Sequence, residues 1–239
     1  MEEIRLNKYI SMTGEYSRRE ADRLIEEGRV CVEGSKAVMG MKIDKSSKVT
    51  VDGRLLRLPE AKVVIAYNKP IGVTVSQKDE HADVLIYDVL DYPEKLKYAG
   101  RLDKDSHGLI LMTNDGALIN AMMRAKFGHE KEYVVRLSRE VTDTAIKELS
   151  KGIYLKTLDA TTKPCRIIRK SKDTVNIILT EGMNRQIRRM FEVVGYEVVD
   201  LKRVRVMNVR LNDLPEGKWR AVEGNELETL YNSVRLSID

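Results

Sequence analysis

Apolar positions along the chain keep two different periods, and the switches between them mark its elements. Ile4, Leu6, Tyr9 and Ile10 recur at helical spacing, so a short helix is expected from Ile4 to Met12, stopped by Gly14. Ser17-Arg-Arg-Glu20 has the form of a capping box, in which the Ser17 hydroxyl satisfies an orphan N–H and Glu20 reaches back. The helix it opens runs to Glu27, stops at Gly28 and should bury Ala21, Leu24 and Ile25. Then Val30-Cys-Val32 and Lys48-Val-Thr-Val51 alternate like strands, with Glu33-Gly34 and Asp52-Gly53 as turn pairs. Arg57-Leu-Pro-Glu-Ala61 is charged and broken by Pro59, as a linker would be.

Beyond the linker, β-branched Val63 to Tyr67 predicts a central strand, and Asn68-Lys-Pro-Ile-Gly72 a turn. Lys69 reads as a turn lysine, with RNA contact as the alternative. Asp83 to Leu90 suits a short helix. Leu109 to Met112, entered through Gly108 and left through Asn114-Asp115-Gly116, predicts a buried strand. A helix follows, with Leu118, Ile119 and Met122 inward and Asn114 or Asp115 as its cap. Tyr133 opens a strand with Val135 and Leu137 towards the core. Thr142 caps a helix ending at Gly152, and Pro164–Lys170 with Thr174–Thr180 form a strand pair. A helix through Phe191 to Val194, a strand carrying Lys202, Arg203 and Arg205, and a last helix capped within Asn225-Glu-Leu-Glu228 complete the chain. The pattern predicts an α+β protein: a small domain over 1–56, a linker over 57–62 and a domain over 63–239, whose mostly antiparallel mixed central sheet is flanked by helices.

Composition narrows the function classes. The chain has 239 residues, 33% of them charged, and no apolar run long enough to span a membrane. Met-Glu-Glu-Ile has neither the basic nor the apolar region of a signal peptide. Net charge +5 and a pI near 9.0 permit a polyanionic partner. Cys31 and Cys165 are far apart and form no CxxC; His81, His107 and His129 have no metal spacing. A cytoplasmic monomer without metal or cofactor is expected.

Candidate chemistry concentrates in Gly100-Arg-Leu-Asp-Lys-Asp-Ser-His-Gly108, which feeds the buried strand. Asp103 sits at the strand's mouth beside Arg101, a place where a carboxylate can be held rigidly and ionised. On spacing alone, an Arg and an Asp two apart are more often a solvated ion pair. Asp105 is the rival carboxylate. Later, Arg185, Arg188 and Arg189 fall at i, i+3 and i+4 on a helix whose opposite face holds Ile187, Met190 and Phe191. Like charges crowded in this way call for an anion: a phosphate, or a carboxylate such as Asp103. In the first sixty residues, Arg5, Lys8, Arg18, Arg19 and Arg23 come from two adjoining helices and could make one phosphate-binding surface. Glu15, Glu20, Asp22, Glu26 and Glu27 nearly cancel them, which keeps a plain solvated face as the alternative.

Gly100 to Leu109, continuing to Thr113-Asn-Asp-Gly116, resembles the active-site motif of the Rsu/Rlu pseudouridine synthases, and Asp103 falls on that family's catalytic aspartate. The segments Arg5–Tyr9, Ser17–Ala21, Leu24–Val30 and Val49–Gly53 resemble an S4 RNA-binding domain. His129-Glu-Lys-Glu-Tyr133 is similar to the motif whose tyrosine packs against the flipped uracil, most like the RluF type. The resemblance implies isomerisation of uridine to pseudouridine in structured RNA. Ribosomal RNA of the large subunit comes first, with small-subunit rRNA or a tRNA as alternatives. It also implies that Arg188 pairs with Asp103 within about 4 Å, that Tyr133 bounds the uracil, and that Arg101 fills the gap left by the base or holds a phosphate. Arg185 and Arg189 would add RNA contacts. A non-catalytic RNA-binding assembly factor is the competing class; it could do without Asp103, Tyr133 and Arg188.

Overall fold

The computed structural model describes residues 3–59, 61–124 and 128–236. The chain divides into two compact units: Met1–Val63 with Tyr92–Lys97 and Thr113–Gly116, and Val64–Asp91 with Tyr98–Met112 and Ala117–Asp239. No described helix is long and apolar enough to cross a membrane.

The first unit runs β1 (Ile4–Arg5), α1 (Leu6–Met12), α2 (Arg18–Glu26), β2 (Val30–Val32), β3 (Ser35–Lys36), β4 (Lys42–Ile43), β5 (Val49–Val51) and β6 (Arg54–Leu55). The expected first helix begins two residues late. Ile4 and Arg5 are extended and pair with Ile43 and Lys42, so tertiary pairing overrides the helical period there. The capping box of α2 is present: the Glu20 N–H donates to Ser17 Oγ at 3.2 Å and the Ser17 N–H to Glu20 Oε2 at 2.7 Å. Ala21, Leu24 and Ile25 are buried with Leu6, Tyr9 and Ile10 of α1 against Val30, Val49 and Val51. Glu33-Gly34 and Asp52-Gly53 all have positive φ, the conformation that closes two-residue hairpins with the right twist.

The second unit contains β7 (Val64–Lys69), α3 (Ile86–Val89), β8 (Lys97–Ala99), β9 (His107–Thr113), α4 (Gly116–Met123), β10 (Lys131–Leu137), α5 (Asp143–Ser150), β11 (Tyr154–Leu155), β12 (Ala160–Thr161), β13 (Arg166–Arg169), β14 (Thr174–Leu179), α6 (Gln186–Val193), β15 (Val198–Val206), β16 (Val209–Arg210), β17 (Trp219–Ala221) and α7 (Gly224–Ser233). Residues at the edges of β8, β9 and α4 cluster with the first unit. The main sheet has the order β13-β14-β10-β15-β9-β7-β17, with β16 and β8 at its margins. β10 pairs antiparallel with β14 and β15, while β15 and β9 run parallel, so the sheet is mixed and mostly antiparallel as expected. Leu109, Leu111, Leu118, Met122, Leu230 and Tyr231 meet in its core. The last helix starts at Gly224, with Glu223 as its cap residue but no side-chain cap bond, and not within Asn225–Glu228.

The parallel contact is tight. Gly108 pairs with Arg203, and a Cβ at Gly108 would stand 2.3 Å from the Arg203 carbonyl oxygen and 2.8 Å from its nitrogen. Gly108 also has φ +102°, where side chains are strained. Gly108→Ala should therefore destabilise the fold by about 3 kcal/mol or more. Chemical denaturation of the two proteins checks this; equal midpoints would refute it.

Candidate active site

Five elements of the second unit meet around the loop 101–106. The loop lies between β8 and β9 and is secured by backbone bonds. The Ser106 N–H donates to the Asp103 carbonyl at 3.1 Å, and the Gly72 N–H to the Lys104 carbonyl at 2.8 Å. Arg203 of β15, 2% exposed, lies beneath it. Its Nε donates to the Leu109 carbonyl at 2.6 Å and its Nη1 to the Arg101 carbonyl at 3.3 Å. Arg203 Nη2 and Ser106 Oγ are buried without a partner among the described residues.

The helix guanidiniums reach this loop, but they meet the other carboxylate. Arg185 is left-handed at φ +50° and opens α6. Its Nη1 and Nη2 each donate to Asp105 at 3.0 Å, one to each carboxylate oxygen. Arg188, one turn later, places Nε 3.2 Å from Asp105 Oδ2, an ion-pair distance without hydrogen-bond geometry. Its Nη2 donates to the Asp105 carbonyl and its Nη1 to the Val198 carbonyl, both at 2.8 Å. The expected Arg188–Asp103 pair is thus corrected to Arg188–Asp105. Two residues apart in the loop, the two carboxylates differ in whether they meet α6. Burial pushes the Asp105 carboxyl up, but the Arg185 hydrogen bond and the Arg188 and Arg185 charges outweigh it and hold Asp105 below the usual carboxylate range.

Asp103 is half-buried, and its carboxylate has neither a hydrogen bond nor an ion pair among the described residues. Arg101 beside it is exposed. Lys104 turns away to Asp83 at 2.5 Å. Arg189 is spent on neighbouring segments, donating to the Asn184 carbonyl at 3.1 Å and to Thr157 Oγ1. In the free protein, then, Arg185, Arg188 and Arg189 are answered by protein groups and do not form a vacant cation cluster.

Tyr133 lies on β10 opposite Ile177 of β14 and Arg203 of β15, its residue 9% exposed. A register shift between Glu132 and Tyr133 separates the two against β15. Glu132 and Glu130 both bind Arg205, at 2.9 and 2.8 Å, and Arg205 also donates to the Met207 carbonyl. Arg203 and Arg205, expected on a basic strand, do lie on β15, and both are buried there between β10 and β9. Lys131 is half-buried and unpaired among the described residues, and burial with the nearby Arg203 charge pushes its ammonium down.

Lys69 was also missed. It ends β7, not a turn, and is fully buried. Its ammonium donates to the Pro70 and Val73 carbonyls at 2.8 Å each. Burial lowers its pKa to about 8 against the opposing pull of Asp105, Asp103 and Glu216. His107, given no role from sequence, lies 3.0 Å from Asp200 and 3.6 Å from Glu216.

In the first unit, Arg5, Lys8, Arg18, Arg19 and Arg23 are all exposed. Among the described residues only Arg23 of the five has an ion pair, with Glu27 at 3.6 Å and both side chains largely open to water. Arg29 is instead neutralised by Asp52 and Glu27. Arg5 borders a cleft of about 190 Å³ lined also by Asn7, Asp22 and Met39. Among the described residues no cluster of His, Cys, Asp and Glu could hold a metal ion.

Comparison with known proteins places the chain in a family. Residues 63–193 match the RNA pseudouridylate synthase family, and residues 4–40 match the S4 domain. The chain is 43% identical to the dual-specificity RNA pseudouridine synthase RluF of Salmonella typhi, over 96% of this chain and 79% of that protein. It is 34% identical to the ribosomal large subunit pseudouridine synthase B of Bacillus subtilis, over 95% of each. A crystal structure of a pseudouridylate synthase superposes with a TM-score of 0.70 at 32% identity, covering 95% of this chain and 99% of that one. The fold, the loop 101–106 and these similarities agree: the chain belongs to the RNA pseudouridine synthase family.

Proposed function

We propose that this protein isomerises a specific uridine to pseudouridine in ribosomal RNA of the large subunit, with Asp103 as the essential acid. One observation carries the choice of Asp103. Of the two carboxylates in the loop, Asp105 is spent on two guanidiniums while Asp103 is bound by none. An unspent carboxylate on an anchored loop is free to meet a sugar.

The reaction breaks the N1–C1′ bond, turns the uracil and rejoins it through C5; the C5 proton leaves and N1 gains one, so no redox partner is needed. A uridine in folded RNA must first be extruded, at a cost of a few kcal/mol. Asp103 acts at the sugar, as nucleophile at C1′ or as base. Tyr133 bounds the uracil face with its largely buried ring. Arg101, exposed beside Asp103, fills the space the base leaves or holds a neighbouring phosphate. Arg188 acts through the loop: with Arg185 it fixes Asp105 and thereby the backbone that aims Asp103. Residues 1–56 hold the RNA through Arg5, Lys8, Arg18, Arg19 and Arg23, residues 63–239 carry out the chemistry, and 57–62 connect them. We read the protein as a cytoplasmic monomer that needs no metal or cofactor. The dual-specificity name of the Salmonella typhi relative supports testing a second RNA substrate, for which small-subunit rRNA and tRNA are the alternatives.

Mapping pseudouridines in total RNA from cells with and without the protein tests the function; no lost site would favour an assembly factor. In vitro, Asp103→Asn should lower turnover by about 10⁴-fold or more, while Asp105→Asn should leave measurable turnover and lower the melting temperature. The reverse ranking would move the essential role to Asp105. Removing the charges of Arg19 and Arg23 should weaken RNA affinity more than turnover at saturating RNA. It should also reduce the slope of log affinity against log salt by about one for each phosphate no longer neutralised. An unchanged slope would exclude that face from RNA binding.

A further inference from the structure

We propose that Glu132 is a positioning residue for Tyr133, held in that task by Arg205 and Asn176. This rests on the assignment of Tyr133 to the uracil face above. Among the described residues the Tyr133 hydroxyl makes no hydrogen bond, so the ring is not aimed by its own polar end. Its place is set by the strand that carries it.

That strand is tied to both of its neighbours at the residue before the tyrosine. Asn176 of β14 donates to Glu132 Oε1, and Arg205 of β15 donates through Nε to Glu132 Oε2, each at 2.9 Å. One carboxylate thus joins three strands. Arg205 Nη2 continues to Glu130 at 2.8 Å and Nη1 to the Met207 carbonyl at 2.7 Å, while the Met207 N–H donates to the Glu130 carbonyl at 2.8 Å. These bonds converge where β15 holds one residue more than β10. Glu132 stands opposite Arg205 and Tyr133 opposite Arg203, so Val204 has no partner on β10, whereas β10 pairs with β14 without interruption. A bulge of this kind re-aims the side chains around it. Here the two arginines on either side of Val204 part company. Arg203 takes the Arg101 and Leu109 carbonyls, and Arg205 takes the acids. The Arg205 and Glu132 side chains are 10% and 15% exposed, and a pair so placed contributes little net stability, because desolvation offsets the attraction. What a satisfied buried network does supply is one geometry. Moving the bulge by a residue would set a different side chain opposite Tyr133 and take Arg205 from Glu132. A ring that bounds the uracil while it turns acts on turnover, so its displacement lowers kcat rather than RNA affinity.

Glu132→Gln keeps the size of the side chain and removes its charge. At saturating RNA it should lower kcat about tenfold with KM for RNA unchanged. A 3-fluorotyrosine placed at position 133 alone should give one narrow ¹⁹F resonance in the free protein, and a split or broadened one once Glu132→Gln is added. Asn176→Leu leaves the Arg205 bonds in place and should move both readouts in the same direction by a smaller factor. It carries the test if Glu132→Gln does not fold. A lower melting temperature with kcat and the resonance unchanged would make the network merely structural and overturn the proposal. So would a lowered kcat with an unmoved resonance, or a raised KM at full kcat, since neither effect would pass through the ring. A wild-type protein inactive on every RNA would instead defeat the proposed function, and the fluorine resonance would still report whether Glu132 holds the ring.

Discussion

The close parallel approach of β9 and β15 at Gly108 and Arg203 is the constraint from which the site follows. Only a glycine lets the two backbones meet there, because any Cβ would enter the Arg203 peptide. That approach sets the Arg203 guanidinium beneath the loop, where it takes the carbonyls of Leu109 and Arg101. The loop is then held at its start by Arg203, in its middle by Gly72 and at its end by Asp105 on α6. The Asp105 carboxylate is bound, and the Asp103 carboxylate is left open. Fixing a reactive group by tying down its neighbours leaves its own lone pairs free, which is what preorganisation demands.

Much of this was legible in the chain. The capping box at Ser17, the two turn pairs with positive φ and the buried run Leu109–Met112 each have a local physical cause, and each appears where expected. Readings that depended on long-range contact failed. Ile4 and Arg5 satisfy a helical period, yet the strand Lys42–Ile43 captures them. Asn225–Glu228 looks like a cap, but the helix begins earlier, on Gly224. Lys69 looks like a turn residue because Pro70 follows it, yet the strand runs through to Lys69, with β17 paired as far as Tyr67 and the Gly217–Lys218 backbone bonded to Asn68. Which carboxylate meets Arg188 could not be read from spacing at all. Asp103 and Asp105 are two residues apart in a loop, and only the folded structure shows that Arg185 and Arg188 both meet Asp105.

The buried charges follow one logic. Arg205 satisfies Glu130 and Glu132 and a carbonyl, a closed network next to the register shift that separates Glu132 from Tyr133. Such a network contributes little net stability, since desolvation offsets most of the attraction. It is consistent with a role in register: a slip of one residue on β10 would turn Tyr133 to the other face of the sheet and leave Arg205 unpaired in the interior. The acids of His129-Glu-Lys-Glu-Tyr133 then serve the tyrosine by holding its strand.

The same reasoning separates the two carboxylates of the loop. Arg185 and Arg188 saturate Asp105, and a saturated carboxylate with its pKa held low is a poor base and a poor nucleophile, because its lone pairs are already engaged. Asp103 would share that fate if a guanidinium reached it directly. Close pairing suits the carboxylate that aims the loop, and open lone pairs suit the one that does the chemistry.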